Sequence, residues 1–153
     1  MVVVRAVIEC EVEVEEVKDA HGQALIRELI RRYHPLPLRG GGPFRYFALV
    51  ERERRGILAV FVINPGDERV RQKARLPSPC YFVRRLLSVP PFQELNVLSV
   101  GLRLLCDYLK AQGVKSVYSF ALPRHSGAVY RHAGWERGYT NPKGYTLWFK
   151  ILR

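Results

Sequence analysis

The segment YFVRRLLSV (residues 81–89) is a mostly apolar run that ends at two prolines, which is typical of a buried β-strand. The next segment, LNVLSVGLRLLCDYLKAQ (residues 95–112), repeats leucine at helical spacing and stops before Gly113, so it predicts an amphipathic helix. VKSVYSFA (residues 114–121) then predicts a second strand. A strand, a helix and a strand in this order form the repeating unit of α/β proteins.

The sequence before this unit predicts a strand, a helix and a hairpin. Residues 2–17 alternate between apolar and acidic side chains, which is the period of a half-exposed strand. Asp19 is the predicted cap of a helix that ends before Pro35. Its predicted apolar face consists of Leu25, Ile26, Leu29, Ile30 and Tyr33. Residues 46–50 and 56–63 are apolar runs joined by a charged turn, as in an antiparallel hairpin.

The C-terminal part predicts a short helix and a final strand. Ser126 is the candidate cap of a helix that ends at Gly134, and residues 145–151 alternate like a strand. Residues 64–79 contain prolines and basic residues and predict a loop. Because no linker or repeat interrupts this order, we expect a single α/β domain over residues 1–153, with a mixed sheet of about six or seven strands flanked by helices.

The composition excludes several classes of protein. The chain is 48% apolar and 25% charged, as expected of a compact domain rather than a disordered or fibrous chain. No apolar run approaches the roughly 18 residues of a membrane span, and the N-terminus lacks the pattern of a signal peptide. The three cysteines lack metal-ligand spacing. We therefore expect a cytoplasmic protein with reduced thiols, no metal and no membrane partner.

The charge is strongly positive and unevenly distributed. The net charge is +11, and 19 of the 25 basic residues are arginine. Residues 1–30 carry a net charge of −4, residues 31–85 of +9 and residues 86–153 of +6. Such an excess attracts polyanions and predicts a nucleic-acid partner. The alternative is heat adaptation, because the chain has only three Asn, four Gln and one Met, and arginines serve surface ion-pair networks in such proteins.

The candidate phosphate-contacting surface combines the hairpin turn with the basic loop. It consists of Arg52, Arg54, Arg55, Arg69, Arg71, Lys73 and Arg75. An enzyme that modifies a base must extract it from the stack or act on single strands. We expect Tyr33, Phe44 and Tyr46 to be the aromatic residues that stack on that base.

The element order, together with YRHAGW at residues 130–135, resembles the GCN5-related N-acetyltransferase (GNAT) superfamily. The resemblance covers about residues 20–150 and implies that acyl-CoA binds where strands 81–89 and 114–121 splay apart. It implies acetyl-CoA or a related acyl-CoA as cofactor, bound by Leu87, Ser88, Val89, Gln93, Asn96, Ser99 and His125. Asn96 and Leu98 stand where the family has small residues, and a leucine there would crowd a pyrophosphate.

A narrower resemblance is to the Mom-type DNA-modification branch of that superfamily. The matching segments are YH at 33–34, RR at 84–85, NVLS at 96–99, SFA at 119–121 and HSGAVY at 125–130. This resemblance implies a transferase that modifies an amino group of a nucleic-acid base, with adenine in DNA as the candidate and DNA favoured over RNA. The branch usually follows SFA with Asp, whereas this chain has Leu122.

The candidate catalytic residues are His34, Tyr33, Arg84, Arg85, Ser119 and Tyr130. His34 titrates near neutral pH and is a candidate general base or metal ligand. Arg84 and Arg85 are adjacent on a strand, so we expect them on opposite faces, with one of them holding a carboxylate or phosphate. By resemblance, Tyr130 would protonate the departing CoA thiolate.

Three functions follow from these observations. The first is a Mom-like transferase acting on a nucleic-acid base. The second is an ordinary GNAT enzyme that acetylates a protein or small-molecule amine, with the charge due to thermal adaptation. The third is a DNA-binding module on a degenerate GNAT scaffold that no longer catalyses a reaction.

Overall fold

The structure, a computed structural model, describes residues 2–4, 10–39, 42–90 and 96–153. The strands are β1 (Val2–Val4), β2 (Cys10–Val17), β3 (Arg45–Glu51), β4 (Ile57–Pro65), β5 (Cys80–Ser88), β6 (Ser116–Ala121), β7 (Glu136–Thr140) and β8 (Thr146–Ile151). The helices are α1 (Ala20–Tyr33), α2 (Glu68–Lys73), α3 (Val97–Ala111) and α4 (Ala128–His132). The strands form one mixed sheet in the order β1-β2-β3-β4-β5-β6-β8-β7.

The predicted α/β class and mixed sheet are confirmed, and the sheet has eight strands in the described residues, where about six or seven were predicted. The N-terminal stretch predicted as one strand folds as β1 and β2, which pair antiparallel. The loop predicted over residues 64–79 contains α2, because the Asp67 carboxylate accepts from the backbone N–H groups of Arg69 and Val70 and caps a helix. No helix in the described ranges is long and apolar enough to cross a membrane.

Helix α1 begins and ends where the sequence predicts. The Asp19 side chain accepts from the backbone N–H of Gly22 at 2.8 Å, and His34 is the C-cap. Ile26 and Ile30 are buried, whereas Leu25 and Tyr33 are 49% and 43% exposed, so the predicted apolar face was too broad. Ile26 and Ile30 lie one helical turn apart, so the buried face of α1 is a narrow stripe.

The two faces of the sheet carry different cores. Helix α3 packs on one face over Phe47, Phe61, Val83 and Val117, and α4 and the two tryptophans extend this core. On the other face, α1 covers β3, β4 and the end of β5. A third cluster on that same face lies beneath α2 and includes Tyr118 and Leu147. The alternation of side chains along β3, β4 and β6 supplies both faces from the same strands.

Strands β5 and β6 are parallel neighbours that separate after three residue pairs. The register is Cys80 with Ser116, Tyr81 with Val117 and Phe82 with Tyr118. Strand β5 continues to Ser88 and β6 to Ala121 without further pairing. The backbone groups of β5 that face β6 beyond Phe82 therefore lack a ladder partner, and the sheet opens at this point.

Gly101 provides a test of the α3 packing. A Cβ at residue 101 would overlap the ring of Phe61, which is fully buried in β4. We expect Gly101→Ala to destabilise the protein by about 1–3 kcal/mol in urea unfolding. The matched control is Gly56→Ala, where a Cβ would meet no atom within 4 Å. If Gly101→Ala instead stabilised the protein, as alanine does in an open helix, the close contact would be wrong.

Candidate functional site

A pocket of about 390 Å³ occupies the opening between β5 and β6. Four segments line it: the chain after α1, the end of β5, the end of β6 and the loop that leads into α4. The lining residues with chemical functions are His34, Arg84, Arg85, Ser88, Ser119, His125, Ser126 and Tyr130. The structure therefore brings together five of the six predicted catalytic residues in one pocket.

Ser119 lies at the position where the two strands stop pairing. Its hydroxyl donates to the carbonyl oxygen of Val83 at 2.7 Å, in place of the next rung of the ladder. The Tyr130 hydroxyl lies 3.0 Å from the same Ser119 oxygen. Because Ser119 has a single hydrogen and gives it to Val83, Tyr130 must be the donor in this second bond. Ser119 thus connects the opened backbone of β5 to the phenol.

Tyr130 is held rigidly at the base of the pocket. It is 7% exposed, and its ring packs on Trp135 and Trp148 at centroid distances of 5.3 and 6.1 Å. Burial raises the pKa of the Tyr130 phenol. The phenol is therefore protonated at neutral pH. In this geometry its proton points at Ser119.

The turn before α4 requires glycine at residue 127. Gly127 has a φ of 72° and is the N-cap residue of α4, and a Cβ there would overlap the indole of Trp148. Ser126, the predicted cap, only accepts from the Ala128 N–H at 3.3 Å. Gly127, Leu98 and Ala121 line the pocket but were not predicted as site residues. Of these three residues, only Gly127 carries a signal in the sequence, because glycine is the residue type that favours a positive φ.

A β-bulge places Arg84 and Arg85 on the same face of the sheet. Val62 pairs with Arg85 and Ile63 pairs with Val83, so Arg84 is the extra residue in β5. Both arginines lie on the α1 side, where they contact the segment after α1. The prediction of opposite faces was wrong, because the alternation along a strand fails at a bulge.

Arg85 clamps the segment that carries His34. Its guanidinium donates to the carbonyl oxygens of Leu36 and Pro37 at 3.3 and 2.8 Å, and to that of Arg84 at 2.7 Å. Burial and the neighbouring Arg84 lower the pKa of Arg85, which nonetheless remains charged as arginines do. Each of its three nitrogens donates to a carbonyl group, so Arg85 holds the pocket wall in position.

The His34 ring accepts a hydrogen bond in this structure. Its Nδ1 atom accepts from the backbone N–H of Leu36 at 2.9 Å, so the neutral ring carries its proton on Nε2. Burial and the charge of Arg85 lower the pKa of His34, which favours this neutral ring. A general base needs an unprotonated nitrogen facing the substrate. The role as a base predicted for His34 would require the bond to Leu36 to break.

The predicted cofactor-binding residues are divided between the pocket and its surroundings. Leu87, Ser88 and His125 line the pocket. The backbone N–H of Val89 donates to Leu58, and Ser99 donates to the carbonyl of Asn96, so these residues are used within the fold. Gln93 lies outside the described residues, as does the rest of the loop 91–95.

Tyr33 is the predicted catalytic residue that the structure does not bring to the pocket. Its side chain is 43% exposed and lies beneath the guanidinium of Arg32 at 5.5 Å. It is therefore on the outer side of the last turn of α1, while His34 turns inward. Of the aromatic residues predicted to stack on a base, Tyr46 is buried and Phe44 is half-buried beside Arg84.

The predicted phosphate-contacting surface is not one surface. Strand β4 separates the turn that carries Arg52, Arg54 and Arg55 from the α2 region that carries the other basic residues. Its nine residues span roughly 30 Å. Arg52 and Arg55 also face the acidic side chains of β2, with Arg55 bound to Glu13 and Glu15. Arg71 is paired with Glu68, which leaves Arg69, Lys73 and Arg75 as the predicted phosphate-contacting residues in and after α2 without an ion pair in the described ranges.

The pocket has a positive electrostatic environment. Two arginines line it, and none of its described lining residues is Asp or Glu. Leu86, Leu98, Ala121 and Val129 add apolar surface to the pocket lining. An aliphatic ammonium group would be repelled here, whereas a neutral amine or a group attached to an anion would not.

Solved structures with this architecture are acetyltransferases of the GNAT fold. The ribosomal-protein-S18-alanine N-acetyltransferase of Escherichia coli superposes with a TM-score of 0.62 at 13% identity, over 93% of this chain and 94% of that chain. The aminoglycoside acetyltransferase AAC(6')-Ib, in complex with paromomycin and acetyl-CoA, gives a TM-score of 0.67 at 16% identity, over 92% and 93%. At such identities the likeness defines the fold, which is the GNAT fold.

The sequence comparison relates the chain to a protein of an archaeal virus. The chain is 32% identical over 151 residues to "Uncharacterized protein 154" of Sulfolobus islandicus rod-shaped virus 1, which covers 92% of this chain and 96% of that protein. The chain therefore belongs to the family of this viral protein. No protein-family model matches it.

Ser119 provides a test of the strand opening. Ser119→Ala removes the partner of the buried Val83 carbonyl and of the Tyr130 hydroxyl, so we expect a loss of about 1–3 kcal/mol in urea unfolding. Tyr130→Phe leaves the bond to Val83 intact and should cost only about 0.5–1.5 kcal/mol. A larger loss of stability for Tyr130→Phe than for Ser119→Ala would contradict the assignment in which Tyr130 donates to Ser119 and Ser119 donates to Val83.

His34 makes stability depend on pH. Its pKa in the folded protein lies below the usual value of 6.5, so the unfolded chain binds the proton more readily and stability falls as the pH drops below about 6.5. We expect the urea midpoint of the wild type to fall between pH 7.5 and 5.5, above the range where carboxylates titrate. His34→Gln should flatten this slope, and His21→Gln, at an exposed position of α1, should not. Parallel slopes for wild type and His34→Gln would refute the assignment.

Proposed function

We propose that this protein is an acyl-CoA-dependent N-acyltransferase. The single observation that carries the proposal is the separation of β5 from β6 after Phe82, which leaves backbone groups beside an apolar pocket. The pantetheine arm of an acyl-CoA is an extended chain of amides and methylenes, and it needs such partners along one side and apolar contact on the other. The residues present therefore fit the arm of the cosubstrate.

The chemistry requires an attacking amine and a proton for the leaving group. The amine nitrogen forms a bond to the thioester carbonyl carbon and the carbon–sulfur bond breaks. The sulfur takes a proton, and the nitrogen releases one to solvent. Tyr130 supplies that proton, because its phenol is protonated at neutral pH and lines the pocket. To do so, the phenol turns its proton from Ser119 to the sulfur. His34 donates through Nε2 and is suited to hold an acceptor oxygen or nitrogen in place.

The acceptor that suits the pocket carries an amine that is neutral at physiological pH. Arg84 and Arg85 disfavour a polyamine, and no described carboxylate of the pocket removes a proton from an ammonium group. The exocyclic amine of a nucleobase is neutral and lies close to phosphates, so the predicted Mom-like modification of a base, with adenine in DNA as candidate, remains our preferred acceptor. A protein or metabolite amine is the alternative that the first experiments must separate from it.

Calorimetric titration with acetyl-CoA tests the proposed cosubstrate. We expect binding by the wild type and a loss of at least tenfold in affinity for Ala128→Trp, which fills the pocket at a half-buried position of its wall. Ala111→Trp is the matched control, because residue 111 is exposed at the far end of α3. Equal affinity for all three proteins, or no binding by the wild type, would contradict the proposal.

Mass spectrometry of nucleosides tests the proposed acceptor. DNA and RNA from cells that express the protein should contain a nucleoside of increased mass, and Tyr130→Phe should lower its amount at unchanged acetyl-CoA affinity. An unchanged nucleoside profile together with acetyl-CoA binding would leave a transferase with a protein or small-molecule acceptor. Salt-dependent DNA binding without acetyl-CoA binding would instead indicate a binding module that has lost catalysis.

A further inference from the structure

A continuous row of aromatic and cationic side chains crosses the sheet face between α1 and α2. The Arg84 guanidinium carbon lies 5.7 Å from the ring centre of Phe44 and 5.9 Å from that of Phe82. The Phe82 ring lies 6.1 Å from Phe120, and Phe120 lies 6.3 Å from Tyr139. Lys73 of α2 closes the row, with its Nζ 4.2 Å from the Tyr139 ring centre. We call these six residues the aromatic–cationic strip.

The strip begins at the pocket and is accessible along its length. Arg84 and Phe120 line the pocket, whereas Tyr139 and Lys73 lie away from it towards α2. The four rings are half-buried rather than closed off, and Lys73 is exposed. Half-buried rings on a sheet face leave part of their π-surface for a ligand.

The polar groups along the strip lack protein partners of opposite charge. Neither Arg84 nor Lys73 forms an ion pair within the described ranges, and the buried Nε of Arg84 has no hydrogen-bond partner there. The nearby acids are committed elsewhere, since Asp67 caps α2 and Glu68 binds Arg71. On the same face, next to Phe82, the Oδ1 atom of Asn64 is also buried without a partner.

We propose that the aromatic–cationic strip binds single-stranded nucleic acid and leads it to the pocket, an inference that rests on the proposed transferase function. Bases stack on the rings of Phe120 and Tyr139, and phosphates contact Lys73 and the free part of the Arg84 guanidinium. A row of stacking rings with cations at its ends suits single strands, because their bases are unpaired and expose π-faces. Duplex DNA offers phosphates but keeps its bases stacked inside.

Fluorescence anisotropy with a labelled 15-nucleotide oligo-dT and the full chain tests the proposal. Tyr139→Leu should weaken binding about fivefold or more, the lower range for one stacked base, and Tyr139→Phe should retain it. Lys73→Gln should weaken binding and reduce the slope of log affinity against log salt by about 0.7. The matched control is Lys110→Gln, which removes the same charge from the last turn of α3 at an exposed position.

Four results would overturn the proposal: no oligo-dT binding, equal effects of Lys73→Gln and Lys110→Gln, tighter binding of a duplex of the same length, or unchanged affinity of Tyr139→Leu. Displacement of the oligonucleotide by poly-glutamate as effectively as by unlabelled oligo-dT would also overturn it in favour of an acidic protein partner. Acetyl-CoA titration of Lys73→Gln separates this failure from that of the proposed function. Unchanged acetyl-CoA affinity without oligonucleotide binding would retain the proposed transferase function and reject the proposed role of the aromatic–cationic strip.

Discussion

The hydrogen bonds of one buried serine organise the centre of this molecule. Where the parallel ladder of β5 and β6 ends, the Ser119 hydroxyl donates to the carbonyl of Val83 and accepts a hydrogen bond from the Tyr130 hydroxyl. A sheet that opens without such a substitute leaves a buried carbonyl unpaired, which is costly. The Ser119 hydroxyl therefore stabilises the open arrangement of the two strands. Its hydrogen bond with Tyr130 also fixes the phenol beside the opening. The indole of Trp148 and the glycine at residue 127 hold that phenol from the opposite side.

The other wall of the pocket depends on a bulge rather than on a residue type. The extra residue in β5 turns both Arg84 and Arg85 to the α1 side, where Arg85 binds the carbonyl groups of the chain after α1. That chain presents His34 with its Nδ1 already occupied. The wall is thus cationic, and it donates hydrogen bonds rather than accepting them. A cationic wall of this kind would repel an aliphatic ammonium group. Arg84 belongs both to this wall and to the aromatic–cationic strip.

Much of the fold and part of the site could be predicted from the sequence, because local patterns determine them. The leucine spacing predicted α3, and Asp19 predicted the start of α1. The resemblance to the GNAT superfamily indicated that β5 and β6 separate. The bulge at Arg84 could not be predicted, since it is a property of the pairing of two strands. Arg52 and Arg75 looked like neighbours in a basic region but lie at opposite ends of β4, and the acids that neutralise the hairpin turn come from β2. The order of strands in the sheet determines which charged side chains meet, and this order could not be read from the local sequence.

The central claim is that the opened edge of β5 receives the arm of an acyl-CoA. Hydrogen–deuterium exchange with and without acetyl-CoA measures this directly, because the backbone amides at issue exchange freely unless a ligand bonds to them. The account predicts that acetyl-CoA slows exchange in peptides that cover residues 83–88 and 119–122, with no change in the paired strands β2 and β3. Bound acetyl-CoA that protects only other segments, and leaves residues 83–88 unchanged, would contradict it.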